Sequence, residues 1–166
     1  MGQSFSFQDE LAALLPRLRR FAHALSRSPA DADDLTQMTV ERALRSSARW
    51  QPGTRLDSWL YRIMRNLWID TVRARARKER VEAPAEDAER IGEDPRRGMD
   101  AAIELQRVMA AMQRLPDEQR EVVALILVEG FGYREAADML ELPIGTVSSR
   151  LVRGRTALLA MVGEVE

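Results

Sequence analysis

The sequence predicts an all-α protein of two small helical domains joined by an acidic flexible linker, with a helix-turn-helix in the C-terminal domain. Three observations lead there. Apolar residues recur at helical spacing along both halves, and no stretch alternates with the period of a strand. Residues 82–100 break that pattern with Pro84, Gly92, Pro95 and Gly98, many acids and almost no apolar side chains, the composition of a linker. Residues 133–152 read YREAADMLELPIGTVSSRLV, two short amphipathic stretches about a Pro-Gly turn. The expected units are 1–81, the linker 82–100, and 101–166. The 166 residues suffice for two small cores.

In the first unit, Leu11, Leu14, Leu15, Leu18, Phe21, Ala22 and Leu25 lie at helical spacing. Pro16 falls among them and predicts a kink or a fresh helix start. Ser28 is placed to cap the next helix, with Pro29 at its first position and Asp31 three residues after the cap. This helix is expected to run to about Ser47, and Asp33 and Asp34 suit its positive N-terminal end. Residues 51–55 read as a loop. A long helix over 56–80 follows, with Leu60, Ile63, Met64, Leu67 and Thr71 on its core face. Trp59, Arg62, Asn66, Arg73, Arg77 and Arg80 share another arc, with Arg65 beside it, while Tyr61, Trp68 and Val72 form a second apolar stripe that places Trp68 in packing.

In the second unit Leu105, Val108, Met109, Met112 and Leu115 make one stripe. Pro116 and Asp117 open a further helix that ends near Gly130. In the helix-turn-helix, Ala136 and Ala137 permit close approach and Leu140 packs inward. The turn holds Leu142, Pro143, Ile144 and Gly145, and the second helix is expected from Thr146. Val147, Leu151, Gly154 and Leu158 fall on its buried face, with Gly154 admitting another backbone. Ser148, Ser149, Val152 and Arg153 point outward, with Arg150 and Arg155 at the edges. Short polar groups followed by arginines suit base edges and phosphates of a major groove. Glu141 stands where such turns often place glycine, so a left-handed backbone is expected there, at a cost on the order of 1 kcal/mol.

Composition narrows the function classes. No cysteine is present, which excludes disulfides and thiolate metal sites and makes a reducing cytoplasm the default compartment. No apolar run is long enough for a membrane span, and no secretion signal is visible. His23 is the single histidine, and no metal-binding, phosphate-loop or triad motif appears, so neither catalysis nor a cofactor nor a metal is expected. The net charge of −1 conceals segregation: residues 55–80 carry a net +5 and residues 81–100 a net −4. All basic residues but Lys78 are arginines, whose planar forks match phosphates and guanine edges.

Taken together, DADDLTQMTVERALR (31–45), RLDSWLYRIMRNLWIDTVRARARKER (55–80) and LPDEQREVVALILVEGFGYREAADMLELPIGTVSSRLVRGRTAL (115–158) resemble the extracytoplasmic-function group of bacterial sigma factors. Residues 51–70 are somewhat similar to its general stress-response branch. The resemblance implies a transcription initiation factor that binds core RNA polymerase, recognises −35 and −10 promoter elements and helps melt DNA. The first unit corresponds to sigma region 2 and the second to sigma region 4. It further implies docking of Asp33, Asp34, Leu35, Gln37, Arg42 and Trp50 on a coiled coil of the largest polymerase subunit, and of the second unit on the flap region. Met38 departs from the family's usual run after the glutamine.

For the −10 element, the resemblance implies a flipped non-template base held by loop 51–57 and Asn66, with Arg55, Trp59, Tyr61, Arg62 and Arg65 nearby. An aromatic face and an amide suit an unpaired base, and capturing it offsets an unstacking cost of about a few kcal/mol. Arg73, Arg75, Arg77, Lys78 and Arg80 are then expected along duplex phosphates, with salt-sensitive contacts. For the −35 element the candidates are Thr146, Ser148, Ser149, Arg150, Val152, Arg153 and Arg155. The acidic linker passes, in this family, through the polymerase cleft, where its charge could imitate nucleic acid. An anti-sigma factor is the expected inhibitor. A stand-alone repressor would use the same helix-turn-helix, usually as a dimer, but no heptad seam is present and the basic helix 56–80 would lack a purpose. A helical adaptor leaves that same arc unexplained.

Overall fold

The computed structural model describes residues 6–26, 28–81 and 99–163. The stretch 82–98, most of the expected linker, lies outside the described residues. Those described are helical: α1 Phe7–Leu25, α2 Pro29–Arg45, a 3-10 turn Ser47–Arg49, α3 Leu56–Val81, α4 Met99–Gln113, α5 Asp117–Val123, a π turn Ala124–Val128, α6 Tyr133–Leu140 and α7 Ile144–Gly163.

Local chemistry fixes the starts. Ser6 accepts from the Asp9 amide at 3.2 Å while the Asp9 carboxylate reaches back to the Ser6 amide, so two otherwise orphaned amides of α1 are satisfied. Ser28 caps α2 through the Asp31 amide at 3.1 Å, with Pro29 in the first turn. Pro16 neither ends nor restarts α1. It and Ala12, whose carbonyl it leaves without an intrahelical donor, are exposed to water, which can take the missing hydrogen bond.

Helices α1, α2 and α3 pack together around Leu18, Phe21, Leu35, Leu60 and Met64, each nearly inaccessible. Leu35 therefore faces this core and offers no surface to a partner: its spacing puts it beside Ala32 and Thr39 on the inward side of α2, opposite Asp33, Asp34 and Gln37. In the second half α7 packs on α4, α5 and α6. A Cβ built on Gly154 would lie 2.7 Å from Val123 Cγ2 and 3.4 Å from Gln119 Cβ. The helix-turn-helix thus depends on a bare backbone at that crossing.

Glu141 ends α6 at φ +55° and ψ 44°, as its place in the turn predicts. Helix α7 begins at Ile144, two residues before Thr146, because Pro143 accepts from both the Thr146 and Val147 amides and so acts as its first carbonyl. Between α5 and α6 the chain widens into the π turn, closed by the Glu129 amide on the Ala124 carbonyl at 2.9 Å. Gly130 then reverses the chain at φ +76°.

The two halves share one core. Helix α1 packs on α4, α5 and the π turn, and α3 packs on α6. Arg120, 1% exposed, donates to the Leu25 carbonyl at the end of α1, to the Leu115 carbonyl and to Asp117. Gln113 donates to the His23 carbonyl at 3.0 Å.

Candidate nucleic-acid interface

Helix α3 opens with Asp57, whose carboxylate accepts from the Ser58 amide at 2.8 Å and from Arg55 through two bonds of 3.1 and 2.8 Å. Burial pushes this carboxyl up, but Arg55, the Ser58 amide and Arg17 outweigh it, leaving Asp57 below the usual range. The ion pair anchors loop 51–55 to the helix, where Gly53 takes φ +89° and Thr54 donates to the Gln51 carbonyl at 2.6 Å.

One turn further along, a cleft of about 190 Å³ opens between α3 and the end of α2. Trp59, Ile63, Asn66, Leu67 and Asp70 line it from α3, and Arg42, Ser46 and Arg49 from α2 and the 3-10 turn. Asn66 is exposed on this cleft and Trp59 is half-buried, its ring edge-on to Phe7 at 6.1 Å. A planar apolar wall, an amide and a carboxylate that can meet donors and acceptors, and flanking guanidiniums thus converge on a space suited to a single ring system. Ser46, Arg49 and Asp70 escaped the sequence reading. Asp70 sits one turn from Asn66 and was legible as its neighbour; Ser46 and Arg49 reach the cleft only because the 3-10 turn folds back. Arg42, expected at a polymerase contact, shares this wall.

The remaining candidates on α3 divide. Arg73, Arg77 and Arg80 are exposed. Arg75 is instead engaged within the first half, doubly paired with Asp31 at 2.9 and 2.6 Å and resting over the Trp68 ring; this pairing lowers the Asp31 carboxyl. Arg55 also meets Glu135, Arg62 donates to the Asp138 carbonyl at 2.9 Å, and Arg65 pairs with Glu121 at 3.1 Å. Tyr61 is not on the surface. It is 1% exposed, its ring lies 4.6 Å from Phe21 and 5.2 Å from Phe131, and its hydroxyl donates to Glu129 at 2.7 Å. The second apolar stripe of α3, on which it lies, faces the other half of the molecule, so Tyr61 is no wall of the cleft here.

On α7, Ser149, Val152, Arg153 and Arg155 are exposed, Val152 at 61%, while Thr146, Ser148 and Arg150 are half-buried. The Ser149 hydroxyl donates to the Thr146 carbonyl at 3.1 Å, and Arg150 lies 3.9 Å from Glu118. An apolar Val152 between a serine and an arginine suits a thymine methyl beside polar base edges. On α2, Asp33, Asp34, Gln37 and Arg42 are exposed, and so are Met38 at 40% and Leu44 at 45%. Trp50 packs on Phe7 at 5.6 Å with its indole N–H unpartnered among the described residues. Among those residues no cluster of potential metal ligands occurs, and no helix is long and apolar enough to cross a membrane.

Comparison with known families and structures adds to this geometry. Residues 11–78 match the family model described as Sigma-70 region 2, and residues 105–158 that described as Sigma-70, region 4. The chain is 38% identical over 157 residues to the ECF RNA polymerase sigma factor EcfG of Rhodopseudomonas palustris, covering 95% of this chain and 85% of that protein. It is 42% identical over 152 residues to SigE of Mycolicibacterium smegmatis, covering 86% of this chain and 56% of the relative. Its fold is similar to that of the sigma factor RpoE of Bartonella quintana, solved in complex with the anti-sigma factor NepR, with a TM-score of 0.83, 32% identity and coverage of 96% and 98%.

Proposed function

The chain belongs to the extracytoplasmic-function RNA polymerase sigma factors of the sigma-70 family, and on that footing we propose that it divides promoter recognition between two surfaces. The cleft around Asn66 takes an unpaired base of the −10 element, and the outer face of α7 reads the −35 duplex. The observation that carries the reading is the cleft itself. An aromatic wall and an amide stand at one end of a helix whose far turns expose Arg73, Arg77 and Arg80. Such a helix can hold a flipped base at one end and phosphates of the adjoining duplex at the other. Melting then needs no nucleotide hydrolysis and no catalytic side chain, because the captured base stabilises the open strand.

The α7 surface completes the division, with Arg153 supplying the bidentate base contact and Ser148, Ser149 and Val152 beside it. The exposed stripe of Asp34, Gln37, Met38 and Glu41 on α2, with one turn-to-turn bond from Gln37 to Glu41 at 3.3 Å, is the surface for the polymerase coiled coil. The unit boundaries are those read from the sequence, 1–81 and 101–166 about an acidic connector. The factor acts in the cytoplasm, and a partner of the anti-sigma class, as RpoE of Bartonella quintana has, holds it inactive.

A footprint of core polymerase plus this protein on selected promoter fragments tests the division. Protection over the −35 duplex together with permanganate-reactive thymines over the −10 element is expected. Duplex protection by the protein alone, with no reactive thymines when polymerase is added, would favour a repressor instead.

A further inference from the structure

Three carboxylates of the second half sit on arginines of the first. Glu129 is the centre. Its side chain is fully buried, and Arg20 grips both carboxylate oxygens at 2.7 and 2.9 Å. The Tyr61 hydroxyl donates at 2.7 Å and Arg17 at 3.4 Å. The π turn makes this reach possible. It adds one residue to the helical turn, which sets whatever follows back by about 100° and turns Glu129 from the flank of α5 towards α1. At the rim Glu135 holds Arg55, Glu121 holds Arg65 at 3.1 Å, and the Asp138 carbonyl takes Arg62 at 2.9 Å.

Each rim arginine lies on the arc of α3 assigned to nucleic acid, and each is matched by an oxygen in the place where a phosphate oxygen would stand. We propose that the free chain is self-masked: the Glu129 clamp holds its halves together, and Glu121 and Glu135 occupy the arginines of α3 as phosphate mimics. The masking rests on the reading of α3 as a nucleic-acid face. The clamp rests only on the contacts around Glu129. Engagement on DNA then exchanges carboxylates for phosphates and parts the two halves. The apparent affinity of the closed chain for DNA is reduced by the fraction open.

The chain has no cysteine, so a pair of spin labels at Ala30→Cys and Ala160→Cys, both exposed positions outside the proposed sites, reports the separation of the halves in the full protein. The parent should give one short, narrow distance. Glu129→Gln should lengthen and broaden it, and the double variant Glu121→Gln/Glu135→Gln should do so to a smaller extent. Binding of a short fluorescent single-stranded oligonucleotide of mixed sequence should tighten about tenfold in Glu129→Gln if roughly a tenth of the parent is open. Circular dichroism checks that each variant stays helical, and the rim pair decides the matter if Glu129→Gln does not fold. Unchanged distances in the folded variants overturn the clamp. Longer distances with unchanged oligonucleotide binding overturn the masking. Arg77→Ala and Arg80→Ala test the α3 reading separately: if neither weakens oligonucleotide binding, that reading falls while the distances still judge the clamp.

Discussion

A methyl group added at Gly154 should loosen the DNA-reading helix from its support. The built Cβ falls 2.7 Å from Val123 Cγ2, inside any real carbon–carbon contact, and 3.6 Å from the Gln119 carbonyl. Val123 is β-branched and 1% exposed, so its methyl has one favoured rotamer and nowhere to retreat. Overpacking of this kind costs about 1–3 kcal/mol. Alanine returns about 1 kcal/mol of helix propensity over glycine. The net for Gly154→Ala is a loss on the order of 1–2 kcal/mol. Gly145→Ala is the control, since nothing lies within 4 Å of its Cβ; it should be neutral or gain up to about 1 kcal/mol. Urea unfolding of the two variants beside the parent measures both, with equal m-values required. If Gly154→Ala proves as stable as the parent, α7 is not seated on α5 as described and the helix-turn-helix geometry is wrong.

Other outcomes follow from the same contacts. Glu141→Gly relieves a left-handed residue at φ +55° and should stabilise by about 0.5–1 kcal/mol after the entropy of glycine is counted; a lowered Tm contradicts the strain. Arg153→Ala should weaken binding to −35 duplex by about 1–3 kcal/mol and relax specificity at one base pair; a uniform loss across sequences would make it a phosphate contact. Glu129 gives a pH dependence. Burial raises its pKa, but Arg20, Tyr61 and Arg17 outweigh this and hold it below the ordinary value of 4.5. Its stabilising contribution is therefore complete above that ordinary value and lost as pH falls through the depressed one. Thermal unfolding between pH 7 and pH 3 should show a steeper acid loss for the parent than for Glu129→Gln, and parallel curves would remove Glu129 as the cause.

What the sequence reveals and what it hides separate along physical lines. Local signals were legible: the Ser28–Pro29 start, the loop before α3, and the αL residue at Glu141 each depend on a few adjacent residues and on backbone chemistry. So was the cleft's central pair, Trp59 and Asn66, because helical spacing alone sets them near one another. The face of a residue is harder to read. Leu35 and Tyr61 lie beside exposed neighbours in sequence, and only the packing of α2 against α1 and of α3 against Phe131 turns them inward. The π turn has no sequence signal of its own, since Ala124–Val128 is equally compatible with a continued α-helix. Nor could charge alone assign Arg55, Arg62, Arg65 and Arg75. An arginine in a basic run looks solvated until a carboxylate or carbonyl from 44 to 80 positions away is brought beside it.

The most direct test of the account is run-off transcription with purified core RNA polymerase on a pool of promoter fragments, with this protein, with its Asn66→Ala variant and without either. The account predicts discrete transcripts that require the protein and fall about tenfold or more with Asn66→Ala, as loss of a polar contact to a flipped base implies. Equal transcription by Asn66→Ala would contradict the base cleft. An absence of any stimulated transcript, together with tight duplex binding by the protein alone, would contradict the account as a whole.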